Sequence, residues 1–172
     1  LPAHQIALTS IERNSTQVML PVVYEHPLKL TYNPQQTLKP EDLSSSFAHM
    51  MAQHMLLQSH QLPPGGVDYL TEGSEILAVF MGFGVLLANS AYTFRGGCGS
   101  CYNAQANRAA SLSENELVFA LALYCRLKGI ENSQAAAYLK KHLKSNYKQA
   151  CKQIDKRPEI LAKLMKHCDG AS

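Results

Sequence analysis

Residues 76–94 read ILAVFMGFGVLLANSAYTF and contain no charged side chain. The segment is apolar on nearly every side, which is typical of a helix at the centre of a folded domain. Gly82, Gly84 and the pair Asn89-Ser90 interrupt it, whereas a membrane-spanning helix needs about 20 predominantly apolar residues. We therefore predict a central buried helix over residues 76–88, and we expect no membrane partner.

Short runs rich in β-branched residues precede this helix. Residues 5–11 and 17–24 flank the turn-like Arg13-Asn14-Ser15, a pattern typical of a β-hairpin. Residues 28–32 alternate apolar and polar side chains and predict a third strand. We expect an α+β fold that is mostly α: a small N-terminal hairpin or sheet, followed by about five helices around the central apolar helix.

Helix start and stop signals place the other helices. Pro40 suits a first helical position, and the apolar periodicity after it predicts a helix over residues 40–60. Ser113 and Glu116 have the spacing of a capping box, which predicts a helix that ends at Gly129. A further helix is predicted to start at residue 132 or 133 and to run past residue 150, and Pro158 opens a short last helix to about residue 167.

Length and composition indicate one ordinary globular domain. The chain has 172 residues, of which 46% are hydrophobic and 17% are charged. We interpret residues 1–172 as a single domain, and we expect it to be a piece of a longer chain because it begins with Leu1. A removed signal peptide would leave no trace in this sequence.

Positive charge is concentrated at the C-terminal end. Residues 1–125 carry 5 Lys and Arg and 9 Asp and Glu, whereas residues 126–172 carry 11 and 4. Lysines recur every four residues in this part, and together we call them the basic ridge: Lys140, Lys144, Lys148, Lys152 and Lys156. A solvated helix face explains this spacing without any partner. The alternative is a surface that binds nucleic acid or an acidic protein.

The five cysteines indicate a reducing compartment. An odd count does not fit the disulfide framework of a secreted protein, so we expect a cytoplasmic chain. Cys98 and Cys101 have the spacing of a redox pair or of half a zinc site, but a glycine-rich loop surrounds them. We interpret them as free thiols in a loop, with redox and zinc roles as the alternatives.

The pattern with most chemical content is Phe47-Ala-His49-Met50-Met-Ala-Gln53. With a strand-like segment before it and an acidic, then apolar, helix after it, residues 26–94 resemble the front of a zinc metallopeptidase-like (zincin-like) domain. In such domains a helix carries His-Glu-x-x-His, whose histidines bind zinc and whose glutamate activates water. The resemblance implies a third, acidic ligand on the next helix, for which Glu75 is the first candidate and Glu72 the second.

The chain departs from that pattern at both decisive positions. Met50 replaces the general base, and a thioether cannot take a proton from water. Gln53 replaces the second histidine, and a neutral amide is a poor zinc ligand. His54 lies about 140° around the helix from His49, and His60 lies about 16 Å further along, so neither completes a histidine pair.

We therefore predict a degenerate site at His49, Met50, Gln53 and Glu75, with no catalytic residue and no cofactor. The favoured function is a non-catalytic helical domain of metallopeptidase-like ancestry, which binds a protein partner or the remainder of a longer chain. The alternatives are a metal-dependent hydrolase, with zinc ligands among His49, Glu72, Glu75, Cys98 and Cys101, and a binder that acts through the basic ridge. Histidines that are simply satisfied by hydrogen bonds explain the pattern without any ancestry.

Overall fold

The computed structural model describes residues 30–32, 34–59, 62–91 and 110–169, and side chains up to residue 166. Its α-helices are α1 (Pro40–Gln58), α2 (Leu70–Ala78), α3 (Gly84–Ser90), α4 (Glu114–Leu127), α5 (Asn132–Tyr138), α6 (Lys141–Asp155) and α7 (Pro158–Asp169). Short 3-10 turns, Pro34–Leu38 and Val67–Tyr69, precede α1 and α2.

The prediction of an α+β fold is wrong for this part of the chain, because its regular elements are helical and it contains no strand. The hairpin expected at residues 5–24 lies outside the described residues. Leu30–Tyr32 do not form the expected third strand, since no described strand lies beside them to complete a hydrogen-bonded ladder. Instead, the Tyr32 ring packs edge-on against Phe47 of α1, with ring centroids 5.9 Å apart.

The apolar segment is not one continuous buried helix. A π turn, Val79–Phe83, separates α2 from α3, and inside it Gly82 has a φ of 102°, which favours glycine. Ile76, Phe80 and Phe83 are about one third exposed, at 37%, 36% and 36%. By length and composition alone, the stretch Val67–Ser90 would suffice to cross a membrane. Ala78, Val79, Leu87 and Ala88 of this stretch, however, pack into the core described next.

The core is formed where residues 78–91 pack against helices α4 and α6. Val79, Leu87 and Ala88 are 0% exposed and belong to the same apolar cluster as Leu117 of α4 and Leu143 of α6. Ser45 of α1 is also fully buried, and its hydroxyl lies within hydrogen-bond distance of the carbonyl oxygens of residues 41 and 86. This packing places α1 and α2 side by side, which positions the candidate site.

Two helix boundaries follow the sequence prediction and one does not. The capping box is confirmed: the Glu116 amide donates to Ser113 Oγ, and Glu116 Oε2 accepts from the Ser113 amide. The last helix begins at Pro158 as predicted. The helix expected from residue 132 past residue 150 is broken between α5 and α6, where Leu139 and Lys140 have extended backbone angles.

Arg126 joins the end of α4 to the end of α6. Its Nε and Nη2 atoms donate to the two carboxylate oxygens of Asp155, each at 2.8 Å, and Nη1 donates to Asn132 Oδ1 at 3.0 Å. The hydrogen bonds from Arg126 lower the pKa of Asp155 below its ordinary value. Two such parallel hydrogen bonds fix the relative orientation of the two side chains more closely than a single surface contact does.

We expect Asp155→Asn to lower the free energy of unfolding by about 1 kcal/mol or less at neutral pH, because this partly exposed pair is screened by solvent. A carboxyl with a lowered folded-state pKa stabilises the fold above its unfolded pKa, near about 3.9, and the contribution is lost as pH falls through the folded-state pKa. Urea unfolding of both proteins from pH 7 down to pH 3 measures this difference. A difference that stays constant over that range would contradict the prediction.

Candidate functional site

His49 lies on the face of α1 that packs against α2. Its neighbours on this face, Ala48 and Ala52, are 2% and 0% exposed, and such small side chains allow close approach of the helices. The His49 side chain is 14% exposed. The imidazole is therefore held between two helices, with only one edge near solvent.

Glu75 of α2 is fully buried and accepts hydrogen bonds from main-chain amides. Its Oε1 accepts from the Ser111 amide at 3.3 Å, and its Oε2 accepts from the Leu112 amide at 2.8 Å. A carboxylate can remain buried when its oxygens have such donors. Glu75 thus connects α2 to the segment that leads into α4.

The imidazole of His49 contacts both Ser74 and Glu75. His49 Nε2 lies 2.8 Å from Ser74 Oγ, and His49 Nδ1 lies 3.9 Å from Glu75 Oε1. Ser74 Oγ also lies 2.8 Å from the Thr71 carbonyl oxygen, and when its proton points there, His49 Nε2 is the donor to Ser74 Oγ. The distance to Glu75 is longer than a hydrogen bond and corresponds to a close polar contact.

Serine, histidine and glutamate in contact resemble the parts of a nucleophilic triad, but the geometry does not serve that chemistry. Ser74 is 0% exposed, so no substrate carbonyl can reach its hydroxyl in this arrangement. The Thr71 carbonyl oxygen, 2.8 Å from the hydroxyl, also competes with the imidazole for its proton. A nucleophilic serine needs an accessible oxygen whose proton passes to the histidine. The cluster is therefore a structural polar connection between α1 and α2.

Metal binding is limited by the number of ligands. Within residues 30–32, 34–59, 62–91 and 110–169, no three His, Cys, Asp or Glu side chains lie close enough together to hold a metal ion. His49 and Glu75 are together, but Gln53 and Met50, both half-buried, add no histidine or carboxylate. One oxygen of Glu72, Oε2, is buried and has no hydrogen-bond partner among the described residues. A zinc site requires more nitrogen, sulfur or oxygen ligands than this pair supplies.

The cysteines that the structure describes are buried and free. Cys125 is 1% exposed and Cys151 is 4% exposed, and burial raises the pKa of the Cys151 thiol. A buried protonated thiol is a poor nucleophile and a poor metal ligand. Cys98 and Cys101 lie outside the described residues, so their redox and zinc roles stay predictions.

The lysines of the basic ridge have different surroundings. Lys140 precedes α6, where its Nζ donates to the Asn89 carbonyl at 2.7 Å and lies 3.8 Å from Glu41 Oε2. Three of the lysines line a groove of about 430 Å³ between α5 and α6, namely Lys144, Lys148 and Lys152. Lys156 lines a cavity between α4, α6 and α7.

Sequence reasoning located His49 and Glu75 but missed the groups that hold them. Ser74 is adjacent to Glu75, and a serine inside an apolar helix start gives no signal of its partner. The donors to Glu75 are main-chain amides 36 and 37 residues further along the chain, which no side-chain pattern indicates. The usable signal in the sequence was Glu75 itself: it is a charged residue at the start of an apolar helix, and a buried carboxylate requires hydrogen-bond donors.

No family model, curated protein or solved structure matches this chain. Function is therefore inferred from the side chains and their geometry. The cluster of His49, Ser74 and Glu75 includes two of the positions, His49 and Glu75, that the resemblance to zinc metallopeptidase-like domains singled out.

Proposed function

We propose that this chain is a non-catalytic helical domain of metallopeptidase-like ancestry, in which the metal position has become a structural polar connection. The observation that supports this most is the use of Glu75. A carboxylate in the place of a metal ligand instead accepts two main-chain amides, while His49 bonds to Ser74. The biological role is then to bind a protein partner or the remainder of a longer chain.

Metal binding would compete with the bonds that Glu75 already makes. An ion that took both carboxylate oxygens would leave the amides of Ser111 and Leu112 without their acceptor, and an unsatisfied buried donor costs about 1–3 kcal/mol. With Met50 in place of the base, a bound water would also lack a proton acceptor. Met50 and Gln53, which replace the base and the second histidine, therefore fit a domain in which Glu75 is used for internal hydrogen bonds and not for zinc.

Localisation in the cytoplasm, without a membrane partner, is part of this proposal. It is supported by the two buried free thiols, Cys125 and Cys151, which fit a reducing compartment. It is also supported by the packing of the apolar segment, since Val79, Leu87 and Ala88 lie in the core with α4. Nucleic acid is not part of this proposal, because a solvated helix face explains the spacing of the lysines without a partner.

Restoring the second histidine tests the ancestry. Gln53 lies one turn from His49, so Gln53→His places two imidazoles on one face of α1. Zinc at about 100 times its dissociation constant should then stabilise the variant by about 2.7 kcal/mol, which corresponds to a rise in Tm of roughly 5–10 °C. Glu75 Oε1 is the expected third ligand, because it lies 3.9 Å from His49 Nδ1 and its bond to the Ser111 amide is the longer of the two that Glu75 accepts. Thermal unfolding with zinc or with a chelator measures the shift.

The matched control is Gln134→His, which adds one histidine at an exposed position of α5. We expect zinc to leave the Tm of this control and of the native protein unchanged, and we expect no peptidase activity from the native protein. Adding Met50→Glu to Gln53→His returns the missing base and is the variant in which to look for hydrolysis. Stoichiometric zinc in the native protein, with a Tm that falls on chelation, would overturn the proposal. A Gln53→His variant that does not respond to zinc would remove the support from ancestry.

A further inference from the structure

A cavity that shares no residue with the cluster of His49, Ser74 and Glu75 lies where α7 meets α4 and α6. Its volume is about 600 Å³, within the range of about 300–1,000 Å³ that is common for small-molecule sites. Six of its lining residues are apolar: Phe119, Leu123, Ile154, Ile160, Leu161 and Leu164. We call this cavity the α7 trough.

The polar residues of the α7 trough carry one sign of charge. Lys156 and Arg157, at the corner between α6 and α7, line it together with Gln153, and no acidic side chain among those that the structure describes lines it. Of the two carboxylates next to them in sequence, Asp155 is held by Arg126 through two hydrogen bonds, and Glu159 is exposed on the first turn of α7 outside the trough. Lys156 and Arg157 are exposed and form no ion pair with described residues. Their positive charge is thus available at one end of an apolar channel.

The apolar walls are partly open to solvent. Phe119 is 41% exposed and Ile160 is 44% exposed, although both line the α7 trough. Moving the methylene groups of a ligand from water to such a surface is favourable in proportion to the apolar area buried. A carboxylate beside lysine and arginine gains charge-assisted hydrogen bonds, which are roughly twice as strong as neutral ones. An apolar chain with an anionic end satisfies both features at once.

From this combination we propose that the α7 trough binds an anionic amphiphile of the fatty-acid class. The alkyl chain lies between the apolar side chains of α4 and α7, and the carboxylate is held by Lys156 and Arg157. This site is separate from the cluster of His49 and Glu75, and it requires neither metal nor catalysis. It also gives Lys156 a role different from that of the other lysines in the basic ridge.

Titration of the full chain with dodecanoate, below its critical micelle concentration, tests the site. We expect saturable binding of one dodecanoate per chain and a rise in Tm, because the ligand binds only the folded state. Dodecyltrimethylammonium, which has the same chain and a positive end, should bind at least about ten-fold more weakly, since a like charge beside two cations is unfavourable. Equal binding of the two amphiphiles, or no binding of either, would overturn the proposal.

Substitutions separate the two halves of the site. Lys156→Gln with Arg157→Gln should weaken dodecanoate binding at least about ten-fold, whereas Lys141→Gln with Lys148→Gln, at exposed positions of α6 outside the trough, should not.

Ile160→Glu places a carboxylate in the trough and should abolish binding. Its control is Ala162→Glu, which adds the same charge at an exposed position of α7 that does not line it. If a variant inside the trough and its control outside it changed dodecanoate affinity equally, the site would be contradicted.

Sedimentation of the ligand-free chain at increasing concentration tests whether a second copy of the chain covers the trough instead of a fatty acid. If a second copy of the chain covered the trough, the protein would dimerise, and Ile160→Glu but not Ala162→Glu would return it to a monomer. That result would overturn the fatty-acid proposal. A monomer whose dodecanoate affinity depends on Ile160, Lys156 and Arg157 supports it.

Discussion

Glu75→Ala should lower the free energy of unfolding by about 3–4 kcal/mol. The substitution removes the acceptor of the Ser111 and Leu112 amides, and each orphaned donor costs about 1–3 kcal/mol when it stays buried. It also leaves a cavity where a fully buried side chain stood. Urea unfolding followed by circular dichroism measures the loss.

A neighbouring glutamate supplies the comparison for this prediction. Glu75→Gln keeps one acceptor oxygen and turns an amide group toward the other donor, so we expect an intermediate loss of about 1–2 kcal/mol. Glu72→Gln changes the same atoms one turn earlier on α2, where Oε2 has no hydrogen-bond partner among the described residues. Glu72→Gln should not destabilise the protein, because it removes a charge from a buried oxygen that has no donor among the described residues. A Glu75→Ala variant as stable as Glu72→Gln would show that Glu75 does not connect α2 to the segment before α4.

Gly84→Val should destabilise the protein by about 3 kcal/mol, the upper end of the usual cost of overpacking. A Cβ at Gly84 would lie 2.8 Å from Leu121 Cδ1 and 3.0 Å from Val79 Cγ1, both closer than atoms normally approach. Gly84 has ordinary helical backbone angles, so the cost comes from contact with α4 and not from strain in the main chain. Thermal and urea unfolding would quantify the effect.

A double-mutant cycle distinguishes this contact from helix propensity. Leu121→Ala removes the atoms that a new Cβ at position 84 would meet first. In that background the cost of Gly84→Val should fall by at least about 1 kcal/mol, since residues in contact have non-additive effects. Gly84→Ala should even become slightly stabilising there, because alanine favours a helix over glycine by about 1 kcal/mol. Strictly additive effects would show that α3 and α4 do not meet at this point.

Local signals predicted individual helices well. Pro40 and the acidic residues after it correctly placed the start of α1, and the capping box of Ser113 and Glu116 correctly placed the start of α4. These signals act through main-chain groups within a few residues, so a sequence displays both partners at once. The sequence prediction was successful where the interaction is short in range.

Prediction failed where a distant side chain decides the outcome. The apolar stripe of residues 136, 139, 143 and 147 continues through the break between α5 and α6, so periodicity predicted one helix. Asn89 of α3 produces that break, because its side chain donates to the Tyr138 carbonyl and accepts from the Lys140 amide. It takes the place of bonds that a continuous helix would make internally. No pattern near residue 139 indicates a partner 50 residues away.

The candidate site shows the same division. The pairing of His49 with Glu75 was predicted from one turn of α1 and the start of the next helix, and the structure brings their side chains to 3.9 Å. The main-chain donors to Glu75 depend on where the chain returns before α4, which is a property of the fold. The α7 trough was also absent from the sequence prediction, because its walls come from helices that are far apart along the chain.

The π turn before α3 gives the apolar segment one residue more than a regular helix would hold. Val79 and Gly84 are both buried five positions apart, and burial then resumes the helical spacing at Leu87, Ala88 and Ala91. The extra residue accounts for this five-residue step, and on either side of it the buried residues keep the ordinary helical spacing. A one-residue deletion inside this turn would convert it to regular helix and leave Leu87 and Ala88 in the core, whereas a one-residue deletion at the start of α3 would rotate both of them by about 100° away from it. Such a frame change would affect every contact of α3 together, whereas a point substitution affects only one.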